Sequence, residues 1–258
     1  MKQQTISSIQ AKKGKDPIVM ITAYDALFAK LFAPHVDIIL VGDSLNMVFA
    51  GKPDTLSATM DQMIYHTQAV CAGAPRSFIL FDMPYGSYID EHTALRNAIK
   101  AYKNSCADAV KLEGGLEKAD IVRHLTQNGI AVCGHIGLMP QHVRGAGGYK
   151  VVRDKEKLIR DAKALEEAGV FALILEGVKA DIAADVTASV DVPVIGIAAG
   201  KDVDGQVLVW SDMLGFFTDF QPKFVRRYLN GADLAQEALK QYAQDVRTKR
   251  FPSEDESY

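Results

Sequence analysis

Four acidic residues each stand at the polar end of a short apolar run. Asp43 follows Ile38-Ile39-Leu40-Val41-Gly42, Asp82 follows Phe78-Ile79-Leu80-Phe81, Glu113 closes Val110-Lys111-Leu112, and Glu176 follows Ala172-Leu173-Ile174-Leu175. Carboxylates are hard oxygen ligands for divalent cations, and burial turns them into bases that work near neutral pH. If the four runs are strands of one parallel sheet, their acidic ends converge on one place. That pattern points to a divalent cation plus a general base, and so to an enzyme.

Each residue carries a plainer alternative. Asp43 and Asp82 on neighbouring parallel strands, about 4.8 Å apart, can share one cation. An all-oxygen site with few protein ligands suits Mg2+. Either aspartate alone reads more simply as a helix cap, as Asp43-Ser44 would; together with Glu113 the set favours the metal. Lys111 and Glu113 are two apart and share one strand face, which inside a barrel is the interior. They form either a structural ion pair or a place for an anionic substrate, and the second reading is preferred. Glu176 is the candidate base, with a structural pair to Lys150 as the alternative. His135, after Cys133-Gly134, has no companion CxxC or HxxxH, which argues against zinc. Its place at a strand end favours hydrogen bonding to substrate. Gly145-Ala146-Gly147-Gly148-Tyr149-Lys150 fits neither GxGxxG nor a Walker loop and reads as a flap. Asp212, Gly196, Gly200 and Gly205 fit tight turns.

The elements that must position these groups repeat along the chain. Apolar runs at 18–21, 38–42, 78–81, 109–113, 131–134, 172–176, 194–197 and 207–210 make about eight strands, the number a TIM barrel needs. The last also reads as a helix start. Helical patterns fill the gaps at 25–32, 59–72, 91–106, 117–128, 154–168 and 179–190, several closed by glycine. A short amphipathic helix over 5–13 precedes the first strand, a final helix spans 233–247, and a polar tail over 251–258 is expected to fray. No stretch reads as a linker. The expectation is α/β, one TIM (β/α)8 domain over 1–258, with long loops at 43–77 and 134–171 as the places for a lid.

Composition narrows the partners. The 258 residues are 48% hydrophobic and 24% charged, with net charge -3 and no basic block. Nothing favours nucleic acid or an anionic membrane. The apolar runs are too short to span a bilayer, and the N-terminus lacks a secretory pattern. Cys71, Cys106 and Cys133 are widely spaced, odd in number and in no CxxC pair. They read as free thiols in a reducing compartment, so a cytoplasmic protein is expected.

Ordered segments across nearly the whole chain resemble the ketopantoate hydroxymethyltransferase family. They are Met20-Ile21-Thr22-Ala23-Tyr24-Asp25, Val41-Gly42-Asp43-Ser44-Leu45, Tyr65-His66-Thr67, Val110-Lys111-Leu112-Glu113-Gly114-Gly115, Gly134-His135-Ile136-Gly137-Leu138, Gly147-Gly148-Tyr149-Lys150-Val151, Leu175-Glu176, Pro193-Val194-Ile195-Gly196-Ile197, Asp204-Gly205-Gln206-Val207-Leu208-Val209 and Pro222-Lys223-Phe224. The resemblance implies a barrel of the phosphoenolpyruvate/isocitrate lyase superfamily. It implies Mg2+ held by Asp43 and Asp82 with Glu113 in or near its shell, and keto acid bound by Ser44 and Lys111 alongside the two aspartates. It makes Glu176 the proton acceptor and puts His135 by the reacting carbonyl. The implied reaction transfers a hydroxymethyl group from 5,10-methylenetetrahydrofolate to 3-methyl-2-oxobutanoate through a Mg-stabilised enolate, giving 2-dehydropantoate for pantothenate synthesis. It also implies a homo-oligomer, a decamer by family habit. A Mg-dependent lyase or mutase and a non-catalytic keto-acid-binding paralogue are the alternatives. Four positions depart from the family pattern: Asn46 where Gly is usual, Ala198 for Gly, and Val152-Arg153 for Gln-Gly.

Overall fold

A computed structural model describes residues 2–258. The strands are β1 (Ile18–Thr22), β2 (Ile38–Val41), β3 (Phe78–Asp82), β4 (Ala109–Glu113), β5 (Val132–Gly137), β6 (Ala172–Glu176), β7 (Val194–Ile197) and β8 (Gly205–Leu208). They pair in chain order, and β8 pairs with β1 to close the barrel. Every pairing is parallel. The connecting helices are α2 (Ala26–Phe32), α3 (Leu45–Val48), α4 (Met60–Gly73), α5 (Glu91–Asn104), α6 (Ala119–Gln127), α7 (Val143–Ala146), α8 (Lys155–Glu167) and α9 (Ala180–Ala188), preceded by α1 (Ile6–Gln10). The expected TIM barrel is the observed fold. The chain divides into two compact units, Met1–Val209 and Trp210–Tyr258. The first is the barrel. The second contains α10 (Trp210–Met213), α11 (Gly231–Arg247) and a short 3-10 turn at Glu254–Glu256 in the exposed tail.

The strands are continuous apolar runs because both faces are covered. Alternate residues fill the interior, among them Ile18, Met20, Ile38, Leu40, Phe78 and Leu80, all buried in one cluster. Residues between them, such as Ile39, Ile79 and Val110, are equally buried on the side where the helices lie. Ile9 of α1 joins the interior cluster and Ile6 packs against it. Each such side chain contributes roughly 1.5–3 kcal/mol of hydrophobic stabilisation. Helix starts follow local chemistry: Asp25 accepts the Phe28 N–H at 2.9 Å, and Thr59 with Gln62 makes a capping box on α4. The stripe expected on α4 is buried at Met63, Ile64, Thr67 and Val70, while Met60 at its first turn is only half-buried.

Two strands differ from their predicted bounds by more than one residue. β5 runs on to Gly137, so His135 lies within it. Gly137 takes φ 96°, and a Cβ there would stand 2.3 Å from the Glu176 carbonyl oxygen, so only glycine lets β5 pass this close to β6. β8 begins at Gly205, two residues early, where a Cβ would meet the Ile18 carbonyl at 2.5 Å. The apolar run that suggested a strand to Trp210 ends instead in α10.

The cysteine expectation is corrected. Cys71 and Cys106 form a disulfide, and only Cys133 is free and buried. The two lie 35 residues apart. That is one β/α repeat, which returns the connection after α5 to the end of α4. Spacing along the chain carries no trace of this juxtaposition.

Candidate active site

Parallel register sets the site. Asp82 pairs with Lys111, Glu113 with His135, His135 with Ile174, and Gly137 with Glu176. Residues opposite each other in a parallel ladder share a face. Asp82, Lys111, Glu113, His135 and Glu176 therefore continue the same inward-facing files that start with the apolar cluster. Asp43 lies two residues beyond β2, and its N–H donates to Asp82 Oδ2 at 3.1 Å. Neither Asp43 nor Asp82 caps a helix through its side chain. Ser44 stands at the start of α3, but its hydroxyl pairs with Tyr24 Oη at 2.7 Å instead of capping.

Lys111 Nζ donates to Asp82 Oδ1 at 2.7 Å and lies 3.7 Å from Glu113 Oε1. His135 Nδ1 is 3.7 Å from Glu113 Oε1, and its Nε2 is 3.4 Å from Glu176 Oε2. Both histidine contacts are longer than a hydrogen bond. Lys150 donates to the Ala146 carbonyl, so the alternative pairing with Glu176 is not formed. The glycine-rich segment begins in the last turn of α7, which Gly147 closes in the left-handed region at φ 69°.

Four carboxyls here face a single ammonium. Burial and the neighbouring Asp82 push the Asp43 pKa up to about 7. Burial, outweighing Lys111, raises Glu113 well above the usual carboxylate range. Burial lifts Glu176 to about 8, although its side chain keeps 19% exposure at the barrel mouth. That remaining access is what a base acting on substrate requires. Burial alone would depress Lys111, but Asp82, Glu113 and Asp43 reverse the effect and keep it charged. Burial, with Lys111 nearby, holds His135 well below its ordinary value, so it is a neutral imidazole. Burial pushes the Cys133 thiol up to about 12 and makes it inert.

Such a surplus of buried acid suits the binding of a cation. Glu113 Oε1 has no hydrogen-bond partner among the described residues. Also among the described residues, no three His, Cys, Asp or Glu side chains form a ready-made cage. A cage suits Zn2+; one or two carboxylates, completed by water and substrate oxygens, suit Mg2+. The donor set fits the latter.

All the site residues read from the sequence meet at this mouth. Sequence reasoning missed Gln141, Tyr88 and Tyr24. Gln141 sits in the 3-10 turn Pro140–His142 and donates to Asp43 Oδ2 at 2.9 Å. Tyr88 donates to Gln141, and burial and Glu113 raise its pKa well above normal, so its proton stays on. Neither lies on a periodic element. The only hint was for Gln141, which lies in the long loop at 134–171; Tyr88 sits in the short connection between β3 and α5. Tyr24 lies within a matched segment, but its pairing with Ser44 needs the fold.

Residues 3–254 match the family described as ketopantoate hydroxymethyltransferase. The chain belongs to this family. It is 67% identical over 257 residues to the 3-methyl-2-oxobutanoate hydroxymethyltransferase of a Nitratiruptor species, a transferase, covering 100% of this chain and 99% of that relative. It is 63% identical over 262 residues to the enzyme of the same name from Wolinella succinogenes, covering 100% of both. Among solved structures it is similar to 2,3-dimethylmalate lyase, a PEP mutase/isocitrate lyase superfamily member. The TM-score is 0.65 at 16% identity, over 94% of this chain and 89% of that one. That likeness concerns the fold. Among the described residues no helix is long and apolar enough to cross a membrane.

Proposed function

We propose that this chain transfers a hydroxymethyl group from 5,10-methylenetetrahydrofolate to 3-methyl-2-oxobutanoate, giving 2-dehydropantoate in pantothenate synthesis. The observation that carries the reading is a raised carboxyl, Glu176, at the open end of a barrel whose interior gathers Asp43, Asp82 and Glu113 around one lysine. Family membership supports the hydroxymethyl transfer, and the site residues are of the types its chemistry needs.

Asp43 and Asp82 would hold Mg2+, with Glu113 Oε1, which accepts no hydrogen bond, beside it. When bound, Mg2+ supplies Lewis-acid stabilisation of negative charge on the keto oxygen. Lys111 offers a permanent positive charge to the substrate carboxylate, and Ser44, oriented by Tyr24, a hydroxyl. Glu176 takes the proton from C3 of the keto acid. His135, neutral and 3.4 Å from Glu176, stands by the carbonyl as a hydrogen-bonding group. The C3 carbanion then attacks the one-carbon unit, and with one water the products are 2-dehydropantoate and tetrahydrofolate.

The same reading takes the whole chain, 1–258, as one catalytic domain acting in the cytoplasm as a homo-oligomer, a decamer by family resemblance. Exposed Leu234, Leu239, Tyr242 and Val246 on α11 support association. The disulfide removes the cysteine argument for the cytoplasm. Light scattering tests the oligomer. The central test follows the C3 proton of 3-methyl-2-oxobutanoate in D2O by NMR, with and without Mg2+ and tetrahydrofolate. Exchange that needs both protein and metal is expected, with product on adding methylenetetrahydrofolate. No exchange from folded, metal-loaded protein would overturn the reading.

A further inference from the structure

From residue 138 to residue 150 the chain runs over the barrel mouth half-buried or exposed, with one interruption. Gln141 alone in that stretch is buried, at 2% exposure. Burying an amide is unfavourable unless its donors and acceptor are all partnered. Here they are. Nε2 donates to Asp43 Oδ2 at 2.9 Å and to the Met83 carbonyl at 3.0 Å. Oε1 accepts the Tyr88 hydroxyl. The backbone N–H of Gln141 donates to Glu113 Oε2 at 3.0 Å, and the Tyr88 hydroxyl accepts the Glu113 N–H at 3.3 Å.

The orientation of the amide follows from this network. The Met83 carbonyl beside Nε2 can only accept, and the partner of Oε1 donates, so a flipped amide would face acceptor against acceptor. The one residue touches the strand ends of β2, β3 and β4 together.

We propose that Gln141 is a positioning residue: it locks the rotation of the Asp43 carboxyl and holds Glu113 in place, so that the acidic end of the barrel is pre-shaped for its cation. An amide suits this task chemically. Lysine or arginine would bring two donors but would cancel the charge that attracts the cation. Glutamate would set another acid against Asp43. Gln141 holds Asp43 through donors while leaving its negative charge available. The inference rests on the reading of Asp43 as a cation ligand.

The test is a Mn2+ titration of the full-length protein, followed by electron paramagnetic resonance, for the wild type, Gln141→Met and Tyr88→Phe. Thermal melts in EDTA run alongside. Methionine keeps the volume and removes the side-chain hydrogen bonds. Gln141→Met is expected to weaken Mn2+ binding by about tenfold or more, the usual loss when a hydrogen-bond partner of a metal ligand is removed. The C3-exchange rate at saturating Mn2+ should fall as well. A residue that only packs would be rescued by methionine in both measurements. Mn2+ affinity within about twofold of wild type would therefore overturn the inference while leaving the proposed function standing. If Gln141→Met does not fold, Tyr88→Phe decides, because it leaves Gln141 in place and frees its amide to turn. Several-fold weaker Mn2+ binding supports the inference, and unchanged binding overturns it. A wild-type protein that takes up no Mn2+ would overturn the proposed function and this inference together.

Discussion

Near the N-terminal end of the barrel interior, Ile18, Ile38 and Phe78 are buried against one another and against Ile9 of α1, and Phe78 meets Phe171 edge to face at 5.7 Å. Further along the strands, the same inward-facing files carry Asp82, Lys111, Glu113, His135 and Glu176. One end is apolar and satisfied. The other is charged, short of hydrogen bonds and carries carboxyls with raised pKa values. Eight strands thus divide the labour along their length. The apolar end supplies the free energy that lets the polar end hold an arrangement that is unfavourable without a cation. A closed barrel allows this because each strand has a single inward file, whose members differ only in depth.

The sharpest way to break this comparison is to remove the proposed base. Glu176→Gln keeps the shape of the mouth and is expected to slow C3 exchange by about a thousandfold or more, with keto-acid binding nearly intact. Calorimetric binding and NMR exchange measure the two halves; unchanged exchange would remove Glu176 from the mechanism. In the wild type the exchange rate should climb with pH as Glu176 loses its proton. The midpoint lies at or below about 8, since a bound cation can only lower it. The Glu176→Gln variant should lose that ascending limb.

A cut at the other end should do the reverse. Phe78→Ala is expected to destabilise by about 3–5 kcal/mol, with exchange per folded molecule close to wild type. Denaturant unfolding measures the loss. A large fall in exchange from still-folded protein would mean that the two ends are not separable.

Asp43 tests whether the mouth is under tension. Its folded pKa is raised to about 7 from 3.8, so between those values the native state holds a proton that the unfolded chain has lost. The metal-free protein should therefore lose stability from this group as pH rises from about 4 to 7, and stay lower above that. Asp43→Asn removes this slope. At pH 8 in EDTA the variant should be more stable by roughly 1–3 kcal/mol, with Mn2+ binding lost. Melts at pH 5 and pH 8 decide it: an equal difference from wild type at both would discount the buried charge.

The smallest expected effect lies at Ala198. It takes φ 54° just beyond β7, a left-handed conformation that disfavours any side chain. Ala198→Gly should stabilise by about 1 kcal/mol at most, read as a rise of a few degrees in melting temperature. Among the family departures, Asn46 has the opposite character. Its buried amide donates to the Asp54 carbonyl at 2.7 Å and to Ser57 Oγ at 3.0 Å. It pins the loop after α3 in a way that glycine cannot.

Much of this was legible in advance. Apolar runs ending in acids located the strands, and a spacing of two placed Lys111 and Glu113 on one face. The ends of β5 and β8 were missed because they depend on glycines that let neighbouring backbones approach, and hydropathy carries no such signal. The Cys71–Cys106 bond and the Gln141 network were missed because their partners come from different β/α units. Gln141, Tyr88, Met83 and Asp43 belong to loops without a period, where sequence distance says nothing about contact.

By itself, then, the sequence determined which residues alternate inward, how many strands there are, and which acids lie at their ends. Those properties follow from hydrophobic burial and the two-residue repeat of a strand, both local along the chain. Tertiary structure decided the register that sets Asp82 beside Lys111 and Glu113 beside His135. It also set the depth of burial that raises Glu176, and the reach of Gln141 across three strand ends. These arise only when the barrel closes, because hydrogen bonds and desolvation act over a few ångströms of space between groups that lie tens of residues apart in the chain.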